Sequence, residues 1–72
     1  MTIAEYESQV SIYGDILSSI VTDVGYDIRI RNKTGKLATY QRLYTEYLSL
    51  DYTMTEEIQE PAYYKAYFLK IK

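Results

Sequence analysis

Apolar residues in the first third of the chain recur at alternating steps of three and four: Ile3, Tyr6, Val10, Tyr13, Leu17, Ile20 and Val24. That spacing predicts one amphipathic helix from Thr2 to Gly25 with a heptad-type seam. Thr2 and Glu5 have capping-box spacing, so each side chain can satisfy a free amide of the first turn. Gly25 suits the left-handed residue that closes many helices. Ile16 and Val21 widen the stripe, which favours a helix lying across its own domain's core over a two-stranded coil. Gly14 and the many Ser, Thr, Val and Ile residues are mediocre helix formers, so packing must hold this helix up.

From Tyr26 the period changes to strict alternation, with Tyr26, Ile28 and Ile30 on one face and Asp27, Arg29 and Arg31 on the other. A half-buried strand is expected there, followed by a turn at Asn32-Lys33-Thr34-Gly35. Leu37, Tyr40, Leu43, Tyr44, Tyr47 and Leu48 return to helical spacing and predict a second helix over 37–51. A competing reading pairs residues 36–41 with 26–32 as a hairpin, but alternation fails after Gly35. Thr53 or Thr55 can cap a short acidic turn that Pro61 interrupts. Residues 62–72 fit either a helix or a strand. As a strand, which the aromatic and β-branched content favours, they put Tyr63, Tyr67, Leu69 and Ile71 on one face and can pair with Tyr26–Arg31. No internal repeat or linker is visible. The expected fold is a single α+β domain over residues 1–72, two main helices packed on a small antiparallel sheet.

Size changes what this domain needs. A chain of 72 residues buries only about 60% of its unfolded surface, and domains so small usually add a disulfide, a metal or a partner. With neither Cys nor His, a disulfide framework and the usual zinc ligands are excluded, and no cofactor is expected. Association with a larger protein or with copies of itself is the remaining device. No apolar run is long enough to cross a bilayer and the N-terminus is acidic, so the expected location is the cytosol.

Charge is arranged in blocks. Residues 1–27 hold five acids and no base, 28–45 five bases and no acid, 46–60 five acids and no base, and the tail Lys65, Lys70 and Lys72. Blocks of alternating sign attract one another on folding or on association. The cluster Arg29, Arg31, Lys33 and Lys36 is the candidate nucleic-acid contact, weighed against a chain whose isoelectric point is near 4.9.

Ten tyrosines exceed what so small a core accommodates. Tyr6, Tyr13, Tyr26, Tyr40 and Tyr44 fall at core spacing. Tyr47, Tyr52, Tyr63, Tyr64 and Tyr67 are the candidates for an exposed recognition patch, Tyr52 and Tyr64 being least committed to a buried face. The back of the first helix (Ala4, Ser8, Ser11, Asp15, Ser18, Ser19 and Thr22) carries no base and consists mainly of small residues that admit another backbone. Ser11, Asp15 and Ser18 are its candidate partner contacts. Catalysis is not expected, because the common general base and the strongest nucleophile are missing. Glu56 and Glu60 lie one helical turn apart, but Pro61 and the short segment argue against a rigid cation site. The composition is similar to that of small acidic, tyrosine-rich proteins of phages and mobile elements that occlude host or defence complexes. The sequence therefore favours a non-enzymatic protein-binding module of inhibitor type. The alternatives are a structural or virion-type subunit packing through its first helix, and a weak nucleic-acid binder through residues 29–36.

Overall fold

The computed structural model describes residues 2–33 and 37–71. The chain runs α1 (Thr2–Tyr13), β1 (Gly14–Val21), β2 (Gly25–Asn32), α2 (Leu37–Tyr47), β3 (Tyr52–Gln59) and β4 (Tyr63–Lys70). The strands form one antiparallel sheet in the order β1-β2-β4-β3, with both helices on one face. The α+β architecture is as the sequence implies.

The central pair is β2 with β4. Tyr26 lies opposite Phe68, Ile28 opposite Ala66 and Ile30 opposite Tyr64, and all six side chains are buried. Tyr6 and Val10 of α1 and Tyr40 and Leu43 of α2 close over them, joined by Leu48 and Tyr52. The rings interlock. Tyr6 meets Tyr26 and Phe68 edge-on, at centroid distances of 6.2 and 6.1 Å, and Tyr40 stacks on Tyr64 at 4.5 Å. Such pairs contribute about 0.5–1.5 kcal/mol each beyond their buried area.

The first helix is half the expected length. It ends at Tyr13, and the chain continues as β1 instead of a helix to Gly25. Gly14 makes the junction: a Cβ there would lie 2.9 Å from both the Arg31 carbonyl oxygen and the Tyr40 hydroxyl, and closer still to Ile30. The β-branched and serine residues that follow favour the extended form. Gly25 closes no helix. It opens β2 after a turn in which the Thr22 hydroxyl accepts from the amides of Val24 and Gly25 (3.3 and 3.1 Å). The Thr2–Glu5 capping box involves a side chain outside those described. The second helix starts as expected and ends earlier, at Tyr47; the competing hairpin does not form. Residues 52–59, expected as an acidic turn, form β3. The tail is a strand paired with β2, as its aromatic content implies. The turn at 32–35 falls largely outside the described residues.

No repeat is legible in the sequence, yet the backbone contains one. A shift of 38 positions carries Gly14–Val21 onto Tyr52–Gln59 and Gly25–Asn32 onto Tyr63–Lys70. Hydrogen bonds follow the same shift: Thr22 N donates to Gly25 O and Glu60 N to Tyr63 O, while Lys70 N donates to Val24 O and Asn32 N to Ala62 O. Both edge strands also break register at corresponding places, between Ile16 and Ser18 in β1 and between Met54 and Glu56 in β3. The domain is thus two helix-strand-strand halves about a pseudo-two-fold axis at the Ile28–Ala66 pair.

A Cβ on Gly25 would meet the Phe68 carbonyl oxygen at 2.5 Å. Gly25→Ala is therefore expected to lower unfolding free energy by about 1–3 kcal/mol, measured by urea denaturation. An unchanged midpoint would show that β2 and β4 separate there at no cost.

Candidate docking face of the sheet

The helices cover one face of the sheet and leave the other open. Alternation along β2 and β4 sends Asp27, Arg29 and Arg31, with Tyr63, Lys65, Tyr67 and Leu69, to the open side. Register adds Asp15, Ser18 and Ile20 from β1 and Thr53, Glu56 and Ile58 from β3. Ile20, Tyr63 and Leu69 are 54%, 38% and 48% exposed, and Ile58 and Tyr67 are half-buried. At the centre Arg29 stands directly opposite Lys65, an arrangement that costs stability because like charges face each other. Neither residue, nor Arg31, joins an ion pair among the described residues, where the pairs are Lys33–Asp15 (3.4 Å) and Arg42–Glu46 (2.7 Å).

This face gathers part of the expected patch. Tyr63 and Tyr67 lie on it. Tyr47 belongs to the helical layer, where it lines a shallow groove with Ala4, Glu5, Ser8 and Gln9. Tyr52 and Tyr64, expected to be the most exposed, are core residues at 6% and 0% exposure. The reason is register: pairing β4 with β2 turns Tyr64, Ala66 and Phe68 inward and Tyr63, Lys65, Tyr67 and Leu69 outward. Among the tyrosines expected in the core, Tyr6, Tyr26 and Tyr40 are fully buried, whereas Tyr13 and Tyr44 are half-buried.

The expected serine-rich back of a long helix does not exist as one surface. Ser11 stays on α1, while Asp15 and Ser18 belong to β1. Lys33 links the first two, donating to the Ser11 carbonyl at 3.3 Å and pairing with Asp15. In the basic cluster, Arg29 and Arg31 are exposed on the open face, Lys33 is at the end of β2, and Lys36 lies outside the described residues. Glu56 is on β3 and Glu60 beyond its end, and no cluster of carboxylates suited to a metal occurs among the described residues. Sequence reasoning missed Lys65, Ile20 and Ile58 as residues of the face that carries Arg29. The signal for Lys65 was present, in the alternation of 63–70 and its expected pairing with β2.

Two carboxylates each hold one buried phenol. Tyr26 Oη donates to Glu7 at 2.5 Å, and Ser19 donates to the same oxygen. Tyr64 Oη donates to Glu57 at 2.5 Å, and Gln41 donates to the same carboxylate at 3.1 Å. Burial first, then the neighbouring carboxylate, pushes both phenols well above the ordinary tyrosine range. Burial, with Glu57, Tyr40 and Glu7 nearby, does the same to Tyr6, whose hydroxyl has no hydrogen-bond partner among the described residues.

These groups set the alkaline limit of the fold. Below about pH 10 the phenols are protonated in both states and their contribution to stability is intact; above it the unfolded chain ionises while the native core resists. Each such tyrosine then removes about 1.4 kcal/mol per pH unit, so the three together remove about 4. Absorbance titration is expected to show these phenols ionising only as circular dichroism collapses; smooth titration of all ten with the fold intact would refute the burial scheme. Tyr6→Phe is expected to change stability by less than about 1 kcal/mol, whereas Tyr64→Phe costs about 1–3 by removing a donor from Glu57. Equal effects in denaturant melts would contradict the bonding described.

No protein-family model matches this chain, and no curated protein or solved structure is significantly similar to it.

Proposed function

We propose that the protein is a non-enzymatic binding module that docks on a larger protein through the open face of its sheet and acts by occlusion. The observation that carries this reading is the composition of the face. Exposed or half-exposed Ile20, Ile58, Tyr63, Tyr67 and Leu69 share the face with Arg29, Arg31 and Lys65, the mixture of aromatic, aliphatic and arginine side chains in which binding energy concentrates.

Charge separates a protein partner from a nucleic acid. The three bases share the face with three acids, Asp15, Asp27 and Glu56, and Lys33 at the rim pairs with Asp15, so the face is a mosaic of both signs. Affinity for a phosphate backbone comes from net neutralisation of its charge, which a balanced mosaic does not supply. A protein surface of mixed charge fits it better. The inhibitor reading extends this: a rigid, tyrosine-bearing face on a small domain can cover a working surface of its target.

The test is capture of partners from a bacterial lysate by the wild type, Tyr67→Ala, Arg29→Ala and Tyr47→Ala in parallel. A protein retained by the wild type and by Tyr47→Ala, and weakened by about 2 kcal/mol, roughly thirtyfold, in each face variant, is the expected result. Capture that ignores the face variants, or no capture, overturns the reading. Binding to duplex or single-stranded DNA at low ionic strength, with a steep salt dependence, would instead assign the face to nucleic acid.

A further inference from the structure

Register orders the open face into rows that run across the strands. One row reads Ser18, Arg29, Lys65, Ile58, and the next, about 7 Å along the strands by their rise per residue, reads Ile20, Asp27, Tyr67, Glu56. The first is basic and the second acidic. Arg29 and Lys65 stand opposite each other as like charges, which costs stability in a lone copy, and none of the four charged side chains in these rows joins an ion pair among the described residues. The boundary between the rows crosses the middle of the sheet, behind the Ile28–Ala66 pair.

Two-fold symmetry converts that order into complementarity. Consider a two-fold axis that lies over the open face, parallel to the sheet, and crosses the strands along this boundary. It turns a second copy over so that the two open faces meet, and it carries each residue along its own strand line to the other side of the boundary. The basic row of each copy therefore lies on the acidic row of the other, and the residues brought together exchange places under the rotation, as an isologous contact requires. Arg29 meets Asp27. Lys65 meets the Tyr67 ring, itself a favourable seat for an ammonium, between Asp27 and Glu56. One row further out, Tyr63 meets Leu69, both exposed in the single copy. An axis along the strands would instead set Arg29 on Lys65, so charge selects the first arrangement. Packed sheets lie about 10 Å apart, a gap that an arginine and an aspartate span together, and the roughly 30° angle usual between packed sheets displaces side chains this near the axis by only about 2 Å.

We infer that two copies of this chain stack open face to open face about that axis, with Arg29 of each on Asp27 of the other and Lys65 between the other's Asp27 and Glu56. The second copy supplies the acids that the Arg29–Lys65 pair lacks in the monomer. It also supplies the stabilising association that a 72-residue chain without Cys or His tends to need. Charge complementarity fixes the orientation, while Tyr63, Tyr67 and Leu69 contribute apolar area. A face four strands wide and eight residues long measures roughly 19 by 27 Å, so the two together bury about 1,000 Å², less than a standard interface. The dimer is therefore reversible and concentration-dependent. It uses the face assigned above to docking, so a target must displace the second copy; the stacking itself does not depend on there being a target.

Sedimentation equilibrium on the full chain tests it. The wild type is expected to move from monomer to dimer with rising concentration. Asp27→Arg and Arg29→Asp, both on the open face, are each expected to weaken the dimer about tenfold or more with an unchanged circular dichroism spectrum. The double variant is expected to recover dimer, because each introduced arginine then faces an introduced aspartate of the other copy. A monomeric wild type at all concentrations overturns the inference, and so does a double variant no better than the singles or a dimer that neither single weakens. Leu17→Lys, at the sheet edge, is expected to leave the dimer unchanged; loss of the dimer there would move the contact to β1 and refute the stacking. A wild type that sediments only as monomer yet captures a target through this face would keep the docking proposal and reject the dimer.

Discussion

Everything else in this molecule depends on pairing residues 25–32 with residues 63–70. Those strands lie far apart in the chain, and their union brings Tyr26, Ile28, Ile30, Tyr64, Ala66 and Phe68 together as one apolar floor. Each helix has a short stripe of its own, Tyr6 and Val10 in one and Tyr40 and Leu43 in the other, too little for stability unless both settle on the same floor. Burying side chains of this size yields about 1.5–3 kcal/mol apiece, which chain entropy largely offsets. Losing the central pairing would strand both helices at once.

Tyrosine does the work that Leu, Phe and Trp share in most cores, and its hydroxyls impose conditions. Tyr40 donates to Asn32 at 2.8 Å, and the Tyr44 hydroxyl donates to the Tyr52 carbonyl at 3.0 Å while accepting from the Met54 amide at 3.2 Å. Glu7 and Glu57 take up Tyr26 and Tyr64 at the margin of the core. The rings therefore fix the relative positions of helices and strands through directional bonds as well as through area. That directionality compensates for a core too small to specify geometry by packing alone.

The elements legible in the sequence were those whose periodicity survives intact: β2, the start of α2, and β4 with its pairing to β2. The two that were not legible, β1 and β3, are the edge strands, and each carries a register break. An extra residue in a strand interrupts its alternation, and the unpaired Leu17, Ile20 of β1 and Val24 in the turn beyond it fall at steps of four, three and four from Tyr13, imitating a helical continuation. In β3 the disguise is different. Glu57 occupies a core-side position because Tyr64 and Gln41 bond to it, which puts a charge where alternation calls for an apolar residue. The open face followed the same logic: Tyr63 and Tyr67 were legible from the tail's alternation, whereas Ile20 and Ile58 joined the face of Arg29 only through strands that were not.

The 38-residue offset relating the halves means that the chain is built like a dimer whose two subunits have been tied end to end. In such an architecture the halves are free to specialise without altering the scaffold, since what must be kept is the axis at Ile28 and Ala66 and not the chemistry at the rim. The divergence of this pair of halves is of that kind: one outer strand has become hydrophilic and acidic, its counterpart smooth and oily. A symmetric frame has thereby acquired a direction, with one rim that presents charge to water and one that presents aliphatic side chains.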